Sequence, residues 1–361
     1  MKYNTPVFKK DIPDDSYKVR PLPPPTGTYP YHLKLLGSNS IVPDKMTFHM
    51  VGDTGNLNRN IYRQPVASAM AKQCKLINET TEYPCFLFHL GDLVYSHGEA
   101  QHYAHQFFSH FAEYPGKVFA IAGNHDADIN PDSTTAYQSL DAFRAVFCDT
   151  EERQIAFGGN GQRKSQTQPN VYWVLQTPLA NIIGLYSNVP KFGWIDDEQK
   201  AWFIEQLKWA NGERPGKALI VCVHHAPYSA DVNHGSSKLM IEFLDGAFSA
   251  AGVLPDAVFS GHVHSYERFS KVYPNGKKVP FIVAGAGGFD ELHSVAGTED
   301  PRFTNESDLF TNVTLAVHCG NKHGFLKITI EKVDTGVKLE GNYYTVEQGE
   351  TTLADTFYVS I

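Results

Sequence analysis

Five short segments hold residues that could act on one centre: Gly52-Asp53-Thr54-Gly55, Gly91-Asp92-Leu93-Val94-Tyr95, Gly123-Asn124-His125-Asp126, Val223-His224-His225-Ala226-Pro227 and Gly261-His262-Val263-His264. Each couples a glycine or a tight turn to oxygen or nitrogen donors. Taken alone, an Asp after a strand is most often a turn former or a helix cap. Together the segments supply three oxygen anions (Asp53, Asp92, Tyr95), the Asn124 amide and three imidazoles, one of them from the His224-His225 pair and two from His262 and His264. That donor set suits two metal ions sharing one carboxylate, whereas a single tetrahedral zinc would leave half of it unused.

Bringing donors from such distant segments to one place requires strands whose C-terminal ends carry the turns. From Met46 onward the chain repeats an apolar strand, a Gly/Asp/Asn/His-rich turn and a helix-period stretch. The pattern predicts strands over 48–51, 86–90 and 118–122, with helices over 64–77, 100–111 and 140–147. Further strands are expected over 171–177, 181–187, 218–223 and 256–260, and helices over 196–211, with an acidic first turn, and 239–251. A more antiparallel set follows over 281–284, 314–317, 325–331, 337–344 and 356–361. This alternation is the signature of an α/β sheet. Residues 1–45 contain Pro21, Pro23, Pro24, Pro25, Pro30 and Pro43 without a sustained period and read as an extended arm, so the catalytic domain is expected over 46–361. Residues 150–170 are polar and glycine-rich and read as a loop.

The chain has 361 residues, of which 42% are hydrophobic and 19% charged, enough to bury a large core. No apolar run approaches the roughly 18 residues of a bilayer span. A net charge of −8 without a basic cluster argues against nucleic acid or an anionic membrane as partner, so a phosphate-bearing ligand would need metals to hold it. Five widely spaced cysteines with no Cys-x-x-Cys pair disfavour a disulfide framework and a structural zinc site. With no signal peptide in view, a reducing, cytoplasmic setting is expected, or a secreted or periplasmic one had a leader been removed.

In order and spacing the five segments resemble the calcineurin-like metallophosphoesterases and, within them, the purple acid phosphatases of the small single-domain type, over about residues 46–290. Most metallophosphoesterases carry His two residues after the first Asp. Here that position is Gly55, and Tyr95 stands three residues after Asp92, which is the purple acid phosphatase pattern. The run from Gly261 to Arg268 and Gly285-Ala286-Gly287 resemble that family too. The resemblance implies a four-layer α/β/β/α sandwich of two mixed sheets flanked by helices. It implies that Asp53, Tyr95 and His264 hold Fe(III), that Asn124, His225 and His262 hold a divalent ion (Fe, Zn or Mn), and that Asp92 bridges them. His225 is chosen over His224 because it precedes Pro227 by two positions, as the family's ligand does, which turns His224 the other way along the strand. The charges agree with the exchange of His for Tyr: an anionic phenolate offsets the extra charge of a trivalent ion and suits it as a hard donor.

The implied reaction is hydrolysis of a small phosphoric monoester by attack of a metal-bound hydroxide, as in acid phosphatases, with His125 and His234 contacting phosphate or protonating the leaving group. His234 could instead be a solvated loop residue. A phosphodiesterase acting on nucleotide or phospholipid head-group diesters is the nearest rival, and a non-catalytic metal-binding protein a remote one. His97, His102 and His105 could line the mouth, though a solvated helix face is the plainer reading. Asp126 is expected to act as a turn former or as a partner holding His125. Arg268 could steer phosphate or pair with Glu267 or another acid, and Tyr228 and Phe289 could form pocket walls.

Overall fold

The computed structural model describes residues 1–35, 43–56, 63–80, 85–159 and 163–361. In chain order these form β1 (Phe8–Lys9), β2 (His32–Lys34), β3 (Lys45–Val51), α1 (Arg63–Thr80), β4 (Leu87–His89), α2 (Ala100–Tyr103), β5 (Val118–Ala120), α3 (Asn124–Ala127), α4 (Asp141–Phe147), β6 (Trp173–Gln176), β7 (Ala180–Leu185), α5 (Asp197–Asn211), β8 (Ala218–Val223), α6 (Lys238–Ala251), β9 (Ala257–Ser260), β10 (Tyr266–Val272), β11 (Lys278–Ala284), β12 (Phe303–Thr304), β13 (Val313–Cys319), β14 (Gly324–Val333), β15 (Gly336–Glu347) and β16 (Glu350–Ser360).

One sheet runs β13-β10-β11-β9-β8-β7-β6-β2 and the other β16-β15-β14-β3-β4-β5. Each has a parallel centre, β7-β8-β9-β11 in the first and β3-β4-β5 in the second. β8 reads as an unbroken buried run, Ala-Leu-Ile-Val-Cys-Val, as a parallel strand covered on both faces should. The sheets pack face to face: Phe88 of β4 stacks on Trp173 of β6 at 5.9 Å, and Tyr266 of β10 on Tyr343 of β15 at 3.8 Å. Helices α5 and α6 pack together beside β7 and β8, and α1 lies on β3, β14 and β15, giving the four-layer sandwich. α5 starts where its acidic turn predicts, with Asp196 accepting the Gln199 amide at 2.8 Å. No helix among the described residues is long and apolar enough to cross a membrane.

Three departures from the sequence reading position the site. The helix expected over 100–111 is only four residues of α-helix followed by a π-type turn over Ala104–Phe108. The widened turn sends Gln106 inward, where its carboxamide bonds the amides of Asn56 and Tyr95 and the Tyr95 carbonyl. β10 was not expected as a strand, because Glu267, Arg268 and Lys271 mask its period. The N-terminal arm contributes two strands: β1 pairs with β12, and β2 adds an edge to the larger sheet beside β6. Residues 36–42 of that arm and 160–162 of the 150–170 loop lie outside the described residues.

Candidate metal centre

The five segments leave the C-terminal ends of β3, β4, β5, β8 and β9, on the edge where the parallel strands of both sheets end. Asp53, Asp92 and His262 all have positive φ, at 59°, 56° and 67°, a backbone region that costs a non-glycine residue free energy and turns its side chain away from the strand direction. The neighbouring glycines let the turns approach. A Cβ on Gly123 would stand 2.1 Å from Asp92 Oδ1, and one on Gly261 2.6 Å from Asp53 Oδ2.

Two groups of donors result. In the first, Tyr95 Oη lies 2.9 Å from Asp92 Oδ2, 3.1 Å from Asp53 Oδ1 and 3.3 Å from His264 Nε2. His264 Nδ1 is 3.1 Å from the Glu291 carbonyl, which makes Nδ1 the protonated nitrogen and leaves the Nε2 lone pair facing the group. In the second, Asn124 Oδ1 is 3.0 Å from His262 Nδ1 and 3.1 Å from His224 Nε2, and His224 Nε2 is 3.4 Å from Asp92 Oδ2. Asp92 also accepts the His125 amide through Oδ1 at 2.9 Å. Asp53, Asp92, Tyr95, His224, His262 and His264 are buried, and Asn124 is half-buried.

His224 corrects the sequence reading. It does not turn away: its Nδ1 donates to the Leu90 carbonyl at 2.8 Å and its Nε2 faces Asp92 and Asn124. β8 ends at Val223 and the chain bends there, so the two-residue alternation used to orient the pair no longer applies. His225 instead bonds Ser187 Oγ through Nδ1 at 2.7 Å, packs its ring on His262, and leaves Nε2 buried without a partner among the described residues.

The electrostatics call for cations. Burial pushes the Asp53 carboxyl well above its ordinary range, helped by Asp92, and pushes the Tyr95 phenol up in the same way beside Asp53 and Asp92. Burial alone would raise Asp92 as well, but the His224 and His125 imidazoles hold it below. Burial would lower His224, yet Asp92 raises it to about 9. With its Nδ1 proton on Leu90, a neutral His224 would point a lone pair at two oxygens, so a cation is wanted between them. A proton serves in the metal-free chain and a metal ion would serve in its place. Burial drives His262 and His264 well below their ordinary value, helped by His234 and His225 beside His262 and by His293 and His234 beside His264, which keeps them neutral as ligands must be. The donors present fit metal binding.

The remaining candidates divide. His125 donates Nδ1 to the Ser96 carbonyl at 2.6 Å and lies against the Tyr95 ring, so Nε2 is the nitrogen left to meet a ligand. His234 is buried rather than solvated, 4.4 Å from the His262 ring, with Nδ1 3.3 Å from Asp231 Oδ2. Phe289 packs on Tyr95 and His264 and walls the site. Tyr228 does not: it is buried against Phe281 with its hydroxyl on Lys271. Arg268 pairs with Asp355 at 2.6 Å, not with Glu267, and His97 and His102 face Asp128 and Glu99. Asp126 does not hold the His125 ring; it accepts the amides of Asp92, Leu93, Val94 and Gly123. Asp231, His293 and Gln106 were missed altogether. His293 Nδ1 lies 3.0 Å from Asp231 Oδ2 and its ring stacks on His264.

A family model for calcineurin-like phosphoesterases matches residues 46–266. Among curated proteins, the chain is 27% identical over 192 residues to purple acid phosphatase 15 of Arabidopsis thaliana and 30% identical over 188 residues to purple acid phosphatase 1 of Ipomoea batatas. These matches take in 51% and 47% of this chain but only 32% and 36% of the relatives. Among solved structures, the GAP50 anchor in the inner membrane complex of Plasmodium superposes with a TM-score of 0.56 at 15% identity, covering 88% of this chain and 89% of that one, which is a likeness of fold. A strand-end site rich in carboxylate and imidazole, in a two-sheet sandwich and inside the matched span, is where a metal-dependent phosphoesterase keeps its chemistry, and the chain belongs to the calcineurin-like phosphoesterase family.

Proposed function

We propose that the chain hydrolyses small phosphoric monoesters at a binuclear centre. The observation that carries this reading is the position of Asp92. Its Oδ2 lies 2.9 Å from Tyr95 Oη on one side and 3.4 Å from His224 Nε2 on the other, so one carboxylate stands between two donor groups. In the proposal Asp53, Tyr95 and His264 hold Fe(III), since phenolate and carboxylate are hard donors, and Asn124, His262 and His224 hold a divalent Fe, Zn or Mn ion. His224 takes the place that the sequence reading gave to His225. When bound, the two ions supply Lewis acidity toward phosphate oxygens and an activated water.

The protein's own residues do the rest. Asp92, through Oδ1, fixes the His125 amide, and the Ser96 carbonyl fixes its ring through Nδ1–H, so as an imidazolium His125 donates from Nε2 to a phosphate oxygen. Asp231 accepts from His234 Nδ1–H, so Nε2 carries a proton for the leaving oxygen when the ring is the imidazolium, the form the Asp231 carboxylate favours. Phe289 shields the Tyr95 and His264 side. Together these preset groups fit a tetrahedral dianion with one departing oxygen.

Metal analysis of protein purified without chelator, beside assays on nitrophenyl phosphate and bis-nitrophenyl phosphate, tests the reading. The expected result is two metal ions per chain, a preference for the monoester, a visible band lost in Tyr95→Phe, and loss of both ions in Asp92→Asn. A single ion with full turnover, a preference for the diester, or both ions retained in Asp92→Asn would overturn it.

A further inference from the structure

A cavity of about 340 Å³, within the usual range for small-molecule pockets, lies between the N-terminal arm and the start of α4. Arg20, Arg144, Gln138, Ser139 and Asp141 line it together with the rigid prolines of the N-terminal arm. The placement of Arg20 is unusually determined. Asn188, itself buried and held at a φ of 62°, clasps its main chain on both sides: Asn188 Oδ1 accepts the Arg20 amide at 2.8 Å, and Asn188 Nδ2 donates to the Arg20 carbonyl at 2.8 Å. A side chain thus mimics a strand partner for one residue of an otherwise extended arm. The Arg20 guanidinium, carried on this clasped main chain, has no ion-pair partner among the described residues, and its Nε is buried with nothing to donate to. Arg144 enters from α4 and gives one Nη2 proton to the Pro24 carbonyl at 3.1 Å; it too lacks an ion-pair partner among the described residues. The Asp141 carboxylate also lines the cavity but is engaged by the Gln138 amide at 2.7 Å.

We infer that this cavity is an oxyanion site, separate from the metal centre, that takes a phosphate or carboxylate group of a small molecule on Arg20 and Arg144. A planar guanidinium presents paired donors that match two oxygens of such a group, and a buried donor without a partner is otherwise costly. Two sequence neighbours tie the cavity to the segments of the metal centre. Asn188 follows Ser187, which holds His225, and Ile129 follows the C-cap of α3, the helix that carries Asn124 and His125. None of the candidate metal ligands lines it. The inference does not rest on the proposed reaction.

Equilibrium dialysis of the metal-loaded full chain against labelled inorganic phosphate, with and without citrate, tests it. Wild type should hold one phosphate more than Arg20→Ala, and Asp92→Asn should keep the phosphate that Arg20→Ala loses. Citrate competing for the retained phosphate assigns the site to carboxylates as well; failure to compete assigns it to phosphate. Arg144→Gln, which removes the other guanidinium, should weaken the same phosphate at least tenfold and stands in should Arg20→Ala not fold. Equal phosphate stoichiometry in wild type, Arg20→Ala and Arg144→Gln would overturn the inference.

Discussion

Asp126 accepts the amide of Asp92 at 2.8 Å across a sequence separation of 34 residues, and the same carboxylate takes the amides of Leu93, Val94 and Gly123. One buried side chain therefore sets the turn that carries Asp92 and Tyr95 against the turn that carries Asn124 and His125. Asp126→Asn keeps the shape but replaces an acceptor oxygen by an NH₂ that faces donors. Leaving buried amides unmet costs about 1–3 kcal/mol each, and partners of this kind are worth ~10–100-fold in metal affinity. Chelator titration of Asp126→Asn should show that loss together with a lower Tm. Wild-type affinity would show that the turns hold themselves.

His224 and His225 make opposite predictions. His224 Nε2 faces Asp92 and Asn124, whereas His225 is tied back to Ser187. His224→Ala should release one of two metal ions and abolish turnover, while His225→Ala should keep both ions with a smaller loss of rate. Metal stoichiometry of the two variants, measured side by side, decides between them; release of an ion only from His225→Ala would return the ligand role to His225.

The sheet centres and the metal turns were legible because each rests on local signals, an apolar strand followed by glycine beside Asp, Asn or His. What was not legible depends on distant partners. Asp126 looks like any turn carboxylate until the amides of the preceding turn are brought to it. Arg268 finds Asp355 on β16, 87 residues away, rather than its sequence neighbour Glu267. β1 and β2 are short strands that exist only because β12 and β6 offer edges. The orientation of His224 turned on where β8 stops, since alternation fixes orientation only inside a strand. Gln106 and the π-type turn that delivers it are invisible to a period of 3.6.

Glu267 gives a pH dependence away from the metal ligands. Burial, with Asp231 nearby, pushes its carboxyl up from 4.5 to about 8, and it accepts the Ala230 amide at 3.2 Å. Between about pH 4.5 and 8 the folded chain holds a proton that the unfolded chain has released, so this group lowers stability as pH rises through that window. Glu267→Gln carries no such proton. Its Tm relative to wild type should therefore climb from pH 5 to pH 8.5. A constant difference across that range would mean that Glu267 is already ionised in the fold.

His234 is buried 4.4 Å from the His262 ring, with Nδ1 on Asp231, an arrangement that suits either of two jobs. As a general acid it would matter in proportion to the basicity of the departing oxygen, since nitrophenolate leaves unaided and an alkoxide does not. Such assistance is worth roughly 10²–10⁴-fold where it is needed. His234→Ala should thus lose far more kcat on an alkyl phosphate than on nitrophenyl phosphate, and Asp231→Asn, which removes the negative charge facing Nδ1–H, should follow the same order with smaller losses. A residue that only binds phosphate would hurt both substrates alike, because both carry that group. Equal losses would assign His234 to phosphate binding and leave His125, anchored by Ser96 and Asp92, as the proton donor.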